Sequence, residues 1–180
     1  MRILKEDTAG LFIDIQEKLF PHIADKEILE RNLIRLLEGL RILEIPVLVT
    51  EQYTKGLGVT IPSLNDAFEN TKAIEKMSFS CCGEPLFEKA LKSAGKTNII
   101  MCGIETHVCV LQTALDLMQM GYQPVVIEDC VSSRNLNDKR IAIDRMRYEG
   151  AVISSVESIL FELTRVSGTE VFKAISRIVR

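Results

Sequence analysis

The segment 103–109 holds the residue types best suited to covalent chemistry. An apolar run at 98–102 precedes it and predicts a buried strand, and a helical pattern of apolar residues follows from Val108. With Thr106 as the helix N-cap, Cys109 is expected at the third helical position, where the positive end of the helix dipole favours the reactive thiolate. The sequence therefore predicts one cysteine that is presented for chemistry at a helix start.

Two further polar residues are expected at the same edge of the predicted sheet. Asp14 lies at the end of an apolar run, and Lys76 directly follows a short predicted edge strand at 73–75. The carboxyl ends of parallel strands share one edge, where ligands bind in such folds, so Asp14, Lys76 and Cys109 are predicted to meet there. The acid can accept the proton of a cysteine nucleophile and return it to a leaving group, and the lysine charge favours the thiolate.

Apolar runs alternate with helical patterns along the chain. Buried strands are predicted at 10–15, 46–50, 97–102, 124–127 and 151–153, and residues 51–72 are predicted to form a long loop. Helices are predicted at 26–44, 85–95, 107–120, 138–150 and 155–165, with a last one after Thr169; Asp138 is the expected cap of the fourth, and a capping box at 154–157 opens the fifth. This alternation predicts an α/β fold, a three-layer α/β/α arrangement around a doubly wound, mainly parallel six-stranded sheet, as a single domain over 1–180.

Composition excludes several classes of protein. The chain has 180 residues, a net charge of −3 and no basic tract, so a nucleic-acid partner is not expected. No apolar run is long enough to cross a membrane, and residues 1–7 lack the apolar core of a signal peptide, so a cytoplasmic location and no membrane partner are expected. Conventional metal and cofactor motifs are missing, so neither a metal nor another cofactor is expected.

The cysteine count carries a prediction of its own. Five cysteines are an odd number at scattered positions, which is not typical of a secreted disulfide framework. Apart from Cys109, the cysteines are interpreted as structural; they are Cys81, Cys82, Cys102 and Cys130.

Three motifs resemble those of the isochorismatase-like cysteine hydrolase superfamily, over roughly residues 8–160. They are Phe12-Ile13-Asp14-Ile15-Gln16, Glu75-Lys76-Met77-Ser78-Phe79, and Gly103-Ile104-Glu105-Thr106-His107-Val108-Cys109-Val110. The resemblance implies Asp14 as the base, Lys76 as its charged partner and Cys109 as the nucleophile. It implies an oxyanion hole made by the backbone N–H groups of Glu105 and Cys109, and a cis peptide bond between Ile104 and Glu105. A homo-oligomer, a dimer or larger, is implied as well.

Departures from the family pattern narrow the activity. Nicotinamidases carry an Asp-x-His metal motif after the second strand, but this chain has Thr50-Glu51-Gln52-Tyr53 there, which disfavours a metal-assisted nicotinamidase. True isochorismatases lack the cysteine, so Cys109 argues against isochorismate hydrolysis. The loop at 50–58 resembles that of the isochorismatase domain-containing subgroup, for which the resemblance implies a hydrolase without a settled substrate.

Five residues are candidates for the substrate pocket. They are Gln16, Phe20, Tyr53, Phe79 and His107, with Phe20 taking over the place of an aromatic wall that the family has one position earlier. Four have an alternative: the aromatic wall is absent rather than moved to Phe20, Phe79 lies in the core, Tyr53 lies in a solvated loop, and His107 is exposed without a role. Glu105 is expected at the pocket rim, where it would select a cationic or hydrogen-bonding substrate.

The combined prediction is a hydrolase that cleaves a C–N bond of a small amide or ureide through a thioester on Cys109. One alternative is a binding or interaction module that keeps the fold without catalysis. Another is a nuclease, because some relatives carry a ribonuclease label. The acidic pI of about 5.5 and the lack of a basic stripe argue against the nuclease.

Overall fold

Six parallel strands form one sheet in the computed structural model, which describes residues 2–68 and 71–180. The strands are β1 (Thr8–Ile13), β2 (Val47–Gln52), β3 (Ile74–Lys76), β4 (Asn98–Ile104), β5 (Gln123–Ser132) and β6 (Val152–Ser154). Their order across the sheet is β3-β2-β1-β4-β5-β6, and every pairing is parallel. The predicted edge position of the third strand is therefore confirmed.

Helices connect the strands. They are α1 (Lys26–Ile42), α2 (Thr54–Leu57), α3 (Pro62–Asn65), α4 (Pro85–Ala94), α5 (Leu111–Gln119), α6 (Leu136–Glu149), α7 (Val156–Thr164) and α8 (Glu170–Ile178). A π-helical turn at Thr106–Val110 leads into α5, and 3-10 turns lie at Lys5–Asp7, Phe20–His22 and Cys81–Gly83. No helix in the part of the chain that the structure describes has the length and apolar character needed to cross a membrane.

Two apolar cores lie on the two faces of the sheet. Side chains alternate along β1, so Phe12 packs into one core while Leu11 and Ile13 pack into the other. Helices α1, α7 and α8 contribute to the Phe12 core, and α4, α5 and α6 contribute to the second. The predicted three-layer α/β/α fold with a doubly wound sheet is confirmed.

The winding direction of the sheet reverses between β1 and β4. The chain adds β2 and β3 on one side of β1, then returns to add β4, β5 and β6 on the other. Gly103 permits the close approach of the two central strands, since its φ is +122° and a Cβ there would lie 2.1 Å from the carbonyl oxygen of Ile13. Ligands bind at such a reversal, beyond the carboxyl ends of the strands, so the crevice after β1 and β4 is the expected site.

Three local predictions are corrected. Residues 51–72, predicted as a long loop, include the end of β2 and two short helices; residues 69 and 70 lie outside the described residues. The buried Glu51 anchors this segment, because its carboxylate accepts hydrogen bonds from the N–H and the hydroxyl of Thr60 at 2.6 and 2.7 Å. Helix α6 is capped by Asn135 rather than Asp138, because the Asn135 side chain accepts the N–H of Asn137. The next helix, α7, is capped by Ser155, one residue later than the capping box predicts.

Candidate active site

Asp14 directly follows β1 and is held from three directions. Its φ of 53° is in the left-handed region, where a non-glycine residue pays about 1–2 kcal/mol. Its N–H donates to the carbonyl of Thr50 at 3.1 Å, and its Oδ1 accepts the Thr50 hydroxyl at 2.8 Å. The second oxygen, Oδ2, lies 2.7 Å from the ammonium of Lys76. These contacts fix a carboxylate that is 1% exposed.

Lys76 ends the edge strand and is buried behind Asp14. Besides the carboxylate, its Nζ donates to Gln52 Oε1 at 2.8 Å and to the carbonyls of Ser78 and Phe79 at 3.1 and 3.0 Å. Burial, the largest single influence, lowers the pKa of this lysine, but the charge of Asp14, the neighbouring thiols Cys81 and Cys109 and the hydrogen bond to Asp14 together outweigh it, so the pKa lies above its ordinary value. The lysine is therefore charged and immobile.

Cys109 lies in the π-helical turn that follows β4. The N-cap position is Glu105, and the N–H of Val110 donates to the Glu105 carbonyl at 3.3 Å, which is the wide turn of a π-helix. The prediction of Thr106 as N-cap is wrong: its Oγ1 is buried and, among the described residues, has no hydrogen-bond partner. Cys109 is thus the fourth residue of the turn, and the peptide bond between Ile104 and Glu105 is cis.

The Cys109 thiol is protonated at rest. Burial raises its pKa, and the neighbouring charge of Asp14 and a hydrogen bond to Asp14 raise it further, while Lys76 lowers it. Lys76 thus acts in the predicted direction, towards the thiolate, but burial to 7% exposure and the charge of Asp14 outweigh it, so the net shift of the pKa favours the thiol. The Asp14 carboxylate, which lines the same cavity, is the candidate acceptor for the thiol proton.

One cavity of about 310 Å³ connects the acid and the cysteine. It is lined by Asp14, Leu19, Gln52, Leu57, Phe79, Glu105, Val108, Cys109 and Arg134. Lys76 does not line it, but it contacts the lining residues Asp14, Gln52 and Phe79, and its charge acts on Cys109. The structure therefore brings the predicted trio together, with the acid and the thiol open to a small ligand and the lysine behind them.

The Glu105 side chain is already paired. Its carboxylate accepts the backbone N–H of Arg134 at 3.0 Å and the Arg134 Nε at 3.1 and 3.2 Å. The expectation that Glu105 selects a cationic substrate at the rim is not supported, since Arg134 compensates its charge. Arg134 itself lines the cavity with a side chain that is 63% exposed.

Of the five predicted pocket residues, only Phe79 lines the cavity. Gln16 is buried and braces the backbone, accepting the N–H of residue 52 and donating to the carbonyls of residues 52 and 58. Phe20 packs in the core, because the 3-10 turn that it opens directs Leu19 to the cavity instead. Tyr53 is 46% exposed, and His107 contacts the Ser133 hydroxyl at 2.9 Å.

The sequence reasoning missed several lining residues. They are Leu19, Gln52, Leu57, Val108 and Arg134. Gln52 had a usable signal, since it is a polar residue at the carboxyl end of β2. The apolar ones had none, because an apolar residue in a turn is equally typical of the core.

No group of three or more His, Cys, Asp or Glu side chains is arranged to hold a metal ion within residues 2–68 and 71–180.

Comparison with known proteins identifies close relatives. The family model described as the isochorismatase domain matches residues 8–158. The chain is 37% identical to the isochorismatase domain-containing protein 2A of Mus musculus, over 99% of this chain and 85% of the mouse protein.

Solved structures of similar proteins match over nearly the whole chain. The MAR1 ribonuclease of Caenorhabditis elegans aligns with a TM-score of 0.93 and 38% identity, covering 99% of this chain and 92% of that one. YcaC of Pseudomonas aeruginosa, solved with hexane-2,5-diol and covalent acrylamide, gives 0.91 and 28%, covering 97% and 89%. YcaC of Escherichia coli, described as an octameric hydrolase of unknown specificity, gives 0.93 and 25%, covering 99% and 89%.

Proposed function

Because the chain belongs to the isochorismatase family, we propose that it is a cysteine-dependent hydrolase that cleaves a C–N bond of a small amide or ureide. One observation carries the proposal: the Asp14 carboxylate and the Cys109 thiol line the same cavity, and Lys76 is paired to the acid behind them. A base next to a thiol, oriented by a third group, is the arrangement that nucleophilic catalysis requires.

The first half-reaction forms the thioester. The thiol proton moves from Cys109 to Asp14 as Sγ attacks the carbonyl carbon of the amide. The resulting oxyanion accepts hydrogen bonds from the backbone N–H groups of Glu105 and Cys109. The C–N bond then breaks, and Asp14 returns the proton to the nitrogen, so that ammonia or an amine leaves.

The second half-reaction restores the enzyme. Asp14, again ionised, takes a proton from water as the water oxygen attacks the thioester carbon. The C–S bond breaks, the acid product leaves, and the proton on Asp14 returns to Cys109. Lys76 keeps its charge throughout, because its four contacts hold it in place and the neighbouring negative charge raises its pKa.

The cavity favours a small and partly apolar substrate. Its volume of about 310 Å³ is at the lower end of ligand pockets, and four of its lining residues are apolar: Leu19, Leu57, Phe79 and Val108. The related YcaC of Pseudomonas aeruginosa carries covalent acrylamide, a small primary amide that is also an electrophile. We take this as support for a reactive nucleophile in the same fold.

The test is a panel of small amides and ureides with ammonia release as the readout. We expect turnover by the wild type, an acyl adduct on Cys109 by peptide mass spectrometry, and no turnover by Cys109→Ala. Cys102→Ala is the matched control, since Cys102 is also buried but does not line the cavity. Full turnover by Cys109→Ala would exclude the thioester mechanism.

RNA cleavage and pure binding are the competing functions. The related protein of Caenorhabditis elegans is described as a ribonuclease. A net charge of −3 and a cavity of small-molecule size favour an amide over RNA for this chain. RNA cleavage that disappears in Cys109→Ala would favour the nuclease, and ligand binding without turnover across the panel would favour the binding module.

Assembly and location are proposed on separate grounds. A homo-oligomer is supported by the octameric YcaC and by three exposed apolar side chains after the edge strand: Met77, Phe79 and Leu86 at 68%, 56% and 63% exposure. Sedimentation should give a mass above that of one chain for the wild type and a smaller mass for Met77→Glu.

A cytoplasmic location is supported by the five cysteines, all free in the structure. A single domain over 1–180 is supported by the one sheet that holds all six strands.

A further inference from the structure

A row of buried polar side chains contacts Asp14 and has no part in the reaction above. The Thr50 hydroxyl lies 2.8 Å from Asp14 Oδ1 and 3.6 Å from Cys81 Sγ. The backbone N–H of Cys81 donates to Thr113 Oγ1 at 3.0 Å. Thr50, Cys81 and Thr113 are all fully buried, so no solvent competes for these bonds.

The direction of each hydrogen bond follows from the donors available. A threonine hydroxyl has one proton to donate, and an ionised carboxylate can only accept, so the Thr50 proton points at Asp14. The Thr50 oxygen is then an acceptor, and the proton between it and Cys81 comes from the thiol. Cys81 retains that proton at neutral pH, because burial and then the charge of Asp14 raise its pKa to about 11.

The row also reaches α5, the helix that continues the turn carrying Cys109. Thr113 lies on α5, four residues after Cys109, which is about one helical turn. The contacts therefore run from Asp14 through Thr50 and Cys81 to this helix. They link the base to the helix behind the thiol by a path separate from the cavity.

We propose that Thr50 is a positioning residue for Asp14, and that the Cys81 thiol supports it by donating to the Thr50 oxygen while the Thr50 hydroxyl donates to Asp14. This inference rests on the proposed role of Asp14 as the general base. Thr50 occupies Oδ1 while Lys76 holds Oδ2, so the carboxylate cannot rotate away from Cys109. A donor to a carboxylate also stabilises its ionised form, which is the form that accepts the thiol proton.

The test compares Thr50→Val, which keeps the shape without the hydroxyl, with Thr50→Ser, which keeps the hydroxyl. The readout is the rate of acrylamide addition to Cys109 against pH, followed by mass spectrometry with peptide mapping. In this reaction Sγ bonds to the β-carbon, and the thiol proton ends on the α-carbon. We expect Thr50→Val to be slower by about tenfold at neutral pH. Its acid limb should move to higher pH, and Thr50→Ser should follow the wild-type profile.

Cys81 supplies a second pair of variants in case Thr50→Val does not fold. Cys81→Ala removes the donor to Thr50 and should shift the profile in the same direction by a smaller amount, and Cys81→Ser should restore it. A wild-type profile in folded Thr50→Val, or in folded Cys81→Ala, overturns the inference.

Asp14→Asn separates this inference from the proposed function. If Asp14→Asn slows the addition and Thr50→Val does not, the inference is wrong and the role of Asp14 as base stands. If Asp14→Asn also reacts at the wild-type rate, Asp14 is not the base, and the positioning role of Thr50 is refuted with it.

Discussion

Lys76 and Asp14 form an ion pair that is closed to solvent: Nζ lies 2.7 Å from Oδ2, and the two side chains are 0% and 1% exposed. The partners come from β3 and from the end of β1, which lie on the two sides of β2 in the sheet. A buried charge is costly unless it is paired and hydrogen-bonded, and this pair has additional donors and acceptors on both partners. The pair therefore links the edge strand to the centre of the sheet and places two opposite charges at the site.

Removing the lysine should destabilise the protein strongly. Lys76→Ala leaves the Asp14 carboxylate buried without its cation, which we expect to lower the free energy of unfolding by about 3–5 kcal/mol. The double variant Lys76→Met with Asp14→Asn should lose less unfolding free energy than Lys76→Met and Asp14→Asn lose in sum. In the double variant neither charge is left buried without its partner. Urea denaturation measures all of these values.

The exposed pair of Lys92 and Glu88 is the matched control. Its atoms lie 3.1 Å apart, but the side chains are 65% and 39% exposed. Lys92→Ala should therefore change the free energy of unfolding by less than about 1 kcal/mol. Equal losses for Lys76→Ala and Lys92→Ala would contradict the structural importance of the buried pair.

Asp14→Asn should give a pH profile for Cys109 alkylation that crosses that of the wild type. At neutral pH the variant lacks the proposed base, so we expect it to react about a hundredfold more slowly. The Asp14 charge is also one reason, after burial, why the pKa of Cys109 is raised, so its removal lowers that pKa and yields more thiolate in alkaline solution. Iodoacetamide kinetics from acid to alkaline pH measure both effects.

The exposed Asp66 provides the control for this experiment, because Asp66→Asn changes the same charge away from the cavity. Its profile should coincide with that of the wild type. Parallel profiles for Asp14→Asn and the wild type would mean that the carboxylate tunes the thiol without accepting its proton.

The fold and the meeting of the trio were predictable because both depend on repeated, local features. Strands that are apolar throughout and alternate with helices specify a parallel sheet, and parallel strands deliver Asp14, Lys76 and Cys109 to one edge. The protonation state of Cys109 was not predictable, since the helix dipole is a local property and burial is a property of the finished fold. Local reasoning had the effect of Lys76 right but left out the burial that outweighs it.

Arg134 was missed because β5 is longer than its apolar run. The prediction ends this strand at 127, whereas it continues to Ser132, through Glu128 and Asp129. The strand can carry the charged residues Glu128 and Asp129 because its pairing with β6 ends at Ile127. Beyond that residue, Glu128 is exposed and Asp129 is only partly buried. With the true end at Ser132, Arg134 comes to the same edge as the trio.

Arg134→Ala should weaken the turn that carries the cysteine. The variant keeps the backbone N–H to Glu105 but loses the Nε donor to a carboxylate that is 7% exposed in the wild type. Since the Arg134 side chain is largely exposed, we expect a loss of about 1 kcal/mol in unfolding free energy. The loss of turnover should exceed what this small loss of stability explains. The pair with Arg134 holds Glu105, and the Glu105 N–H is proposed to bind the oxyanion.

Arg134→Lys tests whether charge alone is sufficient. A lysine has no Nε–H in the plane of a guanidinium, so it should not restore turnover. Thermal unfolding and turnover of the two variants are the measurements. Full turnover in Arg134→Ala would show that the pair with Glu105 does not support the site.

Gly103→Ala should strongly destabilise the protein, although it adds only one methyl group. Its Cβ would lie 2.1 Å from the Ile13 carbonyl oxygen, and its φ of +122° is one that residues with side chains rarely adopt. The central strands β1 and β4 would have to separate, and Asp14 and Cys109 follow directly from those strands. We expect loss of folding, or a fall of at least about 3 kcal/mol in the free energy of unfolding by urea denaturation, together with loss of Cys109 reactivity.

Gly95→Ala is the matched control, because its φ is +62° and nothing lies within 4 Å of the added methyl. It should lower the free energy of unfolding by about 1 kcal/mol and leave Cys109 reactivity unchanged. If the two variants were equally stable, the close approach of β1 and β4 at Gly103 would not be what sets the distance between the acid and the cysteine.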